Sequence, residues 1–297
     1  MTELAAESEI EATPRFEGSN IGTWIGFKHV MYLVEEAVLE HLRRTGLAPR
    51  RLYDEYGLGV ELVDCDIRIL HALHVDDVVR TRVVRQPADR ELTFTMSSYV
   101  DSKRMASATV RVLLRREPGA DAVPAELARY AVPEIDRRLP PAPADRNALT
   151  WRWRVPYFYC HFSHRVQHSG YVRLMEEVVD LFLAERGISI RTMLEGRRWI
   201  PVVPYARVQV LGEAAMQEEL HTAFTVEEVF KDFTYTARMD CHVVRDGRPV
   251  PTATGRITHG YAEILGRRDW RLVSLDEQTR AALRGTKAVL VGRGTRA

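Results

Sequence analysis

The sequence predicts an α+β chain of two tandem units, each an antiparallel sheet wrapped around one long central helix. Three observations predict it: an internal repeat, the order of elements inside each copy, and a Pro/Ala-rich stretch between the copies. The repeat is seen where Tyr32-Leu33-Val34-Glu35-Glu36-Ala37-Val38 answers Arg173-Leu174-Met175-Glu176-Glu177-Val178-Val179, an offset of 141 from Glu35 to Glu176. The same offset carries Gly46 onto Gly187, Leu52 onto Met193, Ile67 onto Val208, Ile69 onto Val210, Thr81 onto Thr222 and Phe94 onto Tyr235. Register held without a gap over roughly 75 positions marks a duplicated unit. Further on, Ala108-Thr109 matches Ala253-Thr254 at an offset of 145. Four extra residues are therefore expected, and Asp246-Gly247, a hairpin-turn dipeptide, is the natural place to absorb them.

Within each copy the long helix comes first. Residues 31–44 and 171–186 are apolar on most sides, and Gly46 and Gly187 follow as stops. Strands come next: 65–70, 77–85, 92–100 and 106–115 in the first copy, 206–211, 219–229, 234–244 and 252–262 in the second. A long helix followed by a run of strands calls for a sheet folded around that helix. Residues 116–147, with Leu139-Pro140-Pro141-Ala142-Pro143, read as the crossover, holding a short helix near 125–129. The expected division is 1–116, a linker at 117–147, a second domain at 148–270 and a basic tail at 271–297.

Composition narrows the function classes. With 45% hydrophobic and 28% charged residues the chain builds cores and is not disordered. Its net charge of +1 is made of bases spread along the chain, so no nucleic-acid partner is expected. No apolar run is long enough to span a bilayer, and the N-terminus is acidic where a secretory leader is basic then apolar, so no membrane partner and a cytoplasmic location are expected. Cys65, Cys160 and Cys241 are odd in number and lack CxxC spacing, which fits small buried thiols in a reducing compartment. The GxSxG elbow of serine hydrolases is missing, and Gly292-Arg293-Gly294 lacks the strand and helix of a nucleotide loop.

The run His161-Phe162-Ser163-His164-Arg165-Val166-Gln167-His168-Ser169-Gly170-Tyr171-Val172-Arg173-Leu174-Met175-Glu176 resembles the signature of the 4-hydroxybenzoyl-CoA thioesterase-like hotdog superfamily. Val166, Tyr171 and Glu176 hold family-like positions, and Gly187 closes the helix at the family spacing. By the repeat offset, Asn20 answers His161 and Val30 answers Tyr171. The resemblance implies two tandem hotdog domains, an acyl-CoA or acyl-carrier-protein thioesterase, and pairing of hotdogs, with a homodimer open because the repeat already supplies one pairing. His161 stands where the family has its catalytic Asp, so the Asp-based mechanism does not transfer.

The candidate catalytic residues are His161, His164, His168 and Glu176: a histidine and a helix glutamate to activate water. Ser169, Gly170 and Tyr171 are candidates for substrate binding, because free N–H groups at a helix start hold a thioester carbonyl, and Asn20 is a candidate for a hydrogen bond to a carbonyl or water. No metal or cofactor is expected, since three imidazoles on one loop lack a fourth ligand nearby. Two other readings stay open. A hotdog dehydratase or hydratase is suggested by His161-Phe162 followed by Gly170, although its acid would fall at Met175. A non-catalytic acyl-binding or partner-binding protein is suggested by the missing Asp.

Overall fold

The structure, a computed structural model, describes residues 6–88, 90–119, 123–138, 147–160, 163–285, 288–291 and 295–296. It resolves into two compact units. The first holds the chain up to Arg137 together with Gln167–Ser169 and Val208–Glu213. The second holds Arg138–Val166, Gly170–Arg207 and the chain from Ala214 onward.

The first copy of the repeat contains β1 (Glu7–Ala12), α1 (Phe27–Arg44), α2 (Pro49–Tyr56), β2 (Leu58–Ile69), β3 (Val79–Gln86), β4 (Leu92–Val100) and β5 (Lys103–Arg116). The connecting stretch adds α3 (Ala125–Ala128) and β6 (Ala131–Val132). The strands lie in the order β1, β3, β4, β5, β2, all antiparallel, with β6 adding a short parallel pairing to β5. The helix α1 packs on β1, β2 and β3. Its buried positions Val30, Met31, Val34, Ala37, Val38, His41 and Leu42 recur at three- and four-residue spacing, which is the stripe a helix needs to lie on a sheet.

A bulge interrupts β2 at Val63, where the register shifts between Leu62 and Asp64. A bulge leaves backbone groups without a ladder partner. The Val63 carbonyl instead accepts from Arg137 Nη1 at 2.9 Å.

The second copy contains β7 (Leu149–Arg154), α4 (His168–Glu185), α5 (Ile190–Arg197), β8 (Trp199–Val210), β9 (Glu219–Phe230), β10 (Thr234–Arg245) and β11 (Arg248–Ile264). Then come β12 (Trp270–Val273), α6 (Glu277–Leu283), β13 (Ala288–Val291) and β14 (Thr295–Arg296). The strand order is β8, β11, β10, β9, β7, β13, β14, with β12 paired to β11. The stretch beyond Trp270, expected to be a patternless tail, thus carries strands and a helix capped by the Asp276 carboxylate on Thr279 N–H. On α4, Met175, Val178 and Phe182 are fully buried, and Phe182 meets Phe224 of β9 at 5.2 Å between ring centres.

The repeat is visible to the residue. Both α1 and α4 keep the 141 offset at each end, as do α2 with α5 and β2 with β8. Both long helices stop in the same way. Gly46 (φ 83°) and Gly187 (φ 72°) adopt the left-handed conformation, and Leu47 and Ile188 return hydrogen bonds to the Leu42 and Leu183 carbonyls. The last hairpin of each copy carries a bulge, after Ser98 in the first and after Cys241 in the second. Two ladder pairs lie between bulge and turn in the first copy and four in the second. The four extra residues thus flank the left-handed turn at Asp246, two on each strand. Two residues on a strand are one full pleat period, so the buried face is unchanged.

Candidate functional site

The site is built where α1 presents its side chains to the start of α4. His168 is the first residue of α4 and is 3% exposed. Its Nδ1 lies 3.7 Å from Oε2 of Glu35, which sits in the middle of α1. Among the described residues neither ring nitrogen of His168 has a hydrogen-bond partner, and neither does Glu35 Oε2, although all three atoms are buried. Leaving a buried polar atom unpaired costs about 1–3 kcal/mol. Two imidazole nitrogens and a carboxylate oxygen of this kind stand together here.

The surroundings fix the chemistry. Burial, then the nearby Glu35 carboxylate, pushes the Cys65 thiol well above its ordinary range, so Cys65 is a packing residue beside Glu35 and no nucleophile. Burial likewise lifts Cys160 to about 11 and Cys241 to about 12. The adjoining Asp64 is 2% exposed and its carboxylate accepts from Gln209 Nε2 at 3.2 Å. Tyr32, one turn ahead of Glu35 on α1, donates to the Ser169 carbonyl at 3.4 Å. The first backbone N–H groups of α4, beginning at His168 and Ser169, have no partner within the helix and carry the positive end of its dipole.

The expected site residues separate. His161 lies outside the described residues. His164 is exposed, and its carbonyl accepts from Met216 N–H. Glu176 is half-buried on α4, eight residues from His168, which is about 12 Å of helix rise. His168 and Glu176 therefore do not form a pair. The Asp180 carboxyl is held up by burial and then by Glu176 and Glu177, which places Glu176 in an acidic stripe of α4. Asn20 is exposed in a turn closed by its N–H on the Trp24 carbonyl, with its amide against Gly26. Ser169 is buried at the site. Gly170 has a packing reason to be glycine, since a Cβ there would stand 2.8 Å from the Tyr159 carbonyl oxygen. Tyr171 is fully buried, and burial raises its phenol while the Thr252 hydroxyl acts the other way. Among the described residues no three His, Cys, Asp or Glu side chains gather in a way that would hold a metal ion.

Glu35 was not among the expected candidates, although the repeat itself aligns it with Glu176. The sequence offers two equivalent carboxylates and only one histidine at a helix start. Which carboxylate meets the histidine is decided by how α1 and the start of α4 pack.

No protein-family model matches the chain, and no curated protein matches it. The fold is similar to a putative oleoyl thioesterase from Lactobacillus plantarum, with a TM-score of 0.65 at 12% identity over 86% of this chain and 95% of that one. It is also similar to an acyl-ACP thioesterase from Bacteroides thetaiotaomicron, with a TM-score of 0.61 at 11% identity, over 86% and 98% of the two chains. A 12:0-ACP thioesterase from Umbellularia californica gives a TM-score of 0.61 at 11% identity, over 91% and 98%. The chain thus has the tandem hotdog fold, and the antiparallel sheet with one long helix in each copy is that fold's unit. No helix among the described residues is long and apolar enough to cross a membrane.

Proposed function

We propose that the protein hydrolyses acyl thioesters carried on coenzyme A or on an acyl carrier protein, using His168 as general base and Glu35 as its partner. The observation that carries this reading is the buried His168 at the start of α4, with the buried Oε2 of the half-buried Glu35 3.7 Å from its Nδ1. The likeness in fold to solved thioesterases supports it, as fold alone.

In this reading the thioester carbonyl lies against the first N–H groups of α4. His168 Nε2 takes a proton from water as the water oxygen bonds to the carbonyl carbon, and Glu35 steadies the imidazolium through Nδ1. The negative charge that develops on the carbonyl oxygen is held by the helix-start N–H groups. Collapse of the tetrahedral adduct breaks the carbon–sulfur bond, and the imidazolium returns its proton to the departing sulfur. The products are a carboxylic acid and a thiol. The acid position of the dehydratase reading falls at Met175, a fully buried thioether packed on β11, which does not serve that chemistry.

The test is thiol release from a panel of acyl-CoAs and acyl carrier proteins by the wild type, His168→Ala and Glu35→Gln. Wild-type turnover that falls about 10²- to 10⁴-fold in folded His168→Ala supports the reading. No thiol release from either carrier type overturns it. Dehydration of 3-hydroxyacyl thioesters, or an acyl ligand retained without turnover in mass spectrometry, would move the protein to one of the other two readings.

A further inference from the structure

We propose that Tyr32 is a positioning residue that seats the first turn of α4 and thereby aims His168 at Glu35, an inference that rests on the hydrolase reading above. Among the described residues no group bonds to the His168 ring nitrogens, so none of them fixes the imidazole's direction by a hydrogen bond. Its direction must come from the backbone that carries it. The Tyr32 hydroxyl reaches that backbone, donating to the carbonyl of Ser169, the residue next to His168, at 3.4 Å. Tyr32 and Glu35 stand three residues apart on α1, so they share one face of that helix. One side chain therefore takes the peptide and the other takes the ring, and both are referenced to the same helix.

Tyr32 is itself held. Its ring meets the edge of His29, one turn earlier, at 5.3 Å and 68°. His29 is buried, and Gly18 lies so close that a Cβ there would stand 2.8 Å from His29 Cγ. The row Gly18, His29, Tyr32, Ser169 forms a packed brace ending one residue from the proposed base. The hydroxyl touches no reacting atom. It acts on the angle at which the imidazole meets water and carboxylate, and small errors in such angles lower turnover before they lower binding.

The experiment replaces Tyr32 with Phe, which keeps the ring and its contact with His29 and removes only the hydroxyl. On an acyl thioester that the wild type hydrolyses, kcat is expected to fall about threefold to tenfold, the scale of one hydrogen bond, with KM within twofold and Tm unchanged. In parallel, the ring resonances of histidine-labelled protein are compared by NMR. The His168 signals are expected to move in Tyr32→Phe while those of His259, which belongs to the second unit, stay in place. Unchanged kcat together with unchanged His168 signals overturns the proposal. So does a loss of kcat that only follows a loss of Tm. If the wild type releases no thiol, the hydrolase reading fails, and the NMR comparison still decides whether Tyr32 sets the imidazole.

Discussion

The helices α1 and α4 are the same length, keep one offset at both ends and close with the same glycine motif, yet their aromatic and imidazole side chains have traded places. Phe27 opens α1 where His168 opens α4, and His41 lies within α1 where Phe182 lies within α4. All four are buried. His41 is kept neutral by burial and by nearby Arg85, and its Nδ1 lies 2.8 Å from the Ser8 hydroxyl, so it serves the core of its own half. His168 Nδ1 instead lies 3.7 Å from a carboxylate oxygen of Glu35. The duplicated scaffold thus gives its two helix histidines different neighbours, a hydroxyl for His41 and a carboxylate for His168.

The largest expected effect breaks this comparison at the carboxylates. Glu35→Gln should lower kcat/KM by at least about tenfold through the loss of the imidazolium's partner. The equivalent Glu176→Gln should stay within twofold of wild type. Equal losses in thiol-release assays would show that the two helices are not functionally distinct.

The second prediction concerns His259, buried on β11 and stacked on Tyr235 at 5.3 Å, where the first half has the buried Val112 at the same distance from the bulge. Burial depresses His259 to about 3 from an ordinary value near 6.5. Below pH 6.5 the unfolded chain takes up a proton that the folded chain refuses until about pH 3. Stability is therefore intact above pH 6.5 and falls as the pH drops through that window, by about 1.4 kcal/mol for each pH unit. His259→Val, which copies the first half, should flatten the acid limb of the denaturant midpoint plotted against pH. An unaltered limb would assign acid sensitivity to other groups.

A smaller effect tests packing. Between the helix and the sheet the second half sets Met175 against Gly255, where the first half has Val34 on its helix and, two residues beyond the bulge on its sheet, Ala108. A Cβ on Gly255 would collide with the Met175 methyl. Gly255→Val should cost about 1–3 kcal/mol by overpacking, and adding Met175→Val should recover most of it. Additive losses in urea unfolding would refute the exchange of volume between the two halves.

The smallest prediction concerns the ends of α2 and α5, where Gly57 and Arg198 are both left-handed at φ 60° and 57°. Arg198→Gly should stabilise by about 1 kcal/mol and Gly57→Ala should destabilise by a similar amount. A thermal melt of each variant resolves the signs.

Much of this was legible because the repeat carries two kinds of period at once. The expected strand at 92–100 coincides with β4, and the expected helix at 31–44 ends where α1 ends. Its start was missed by four residues because Gly26, the residue before the helix, offers no capping side chain to announce it. The short helix α2 was not read, since its eight residues are mostly charged or tyrosine and only Leu52 is buried. At the site, the residue types were legible and the pairing was not. His168 was among three candidate histidines, and Glu35 was written beside Glu176 in the repeat alignment. A contact between residues 133 positions apart in the chain leaves no periodic trace.

The four-residue growth of the β10 and β11 arm shows how this sheet can change length. A strand ladder is read in steps of two, so residues added in even numbers to each strand lengthen the arm while every side chain beyond them keeps its side. An odd insertion just before Val243 would turn that buried residue outward and its exposed neighbour Val244 inward. The arm behaves as a telescoping rod with a fixed click, and edits meant to reach a new partner there should come two residues at a time.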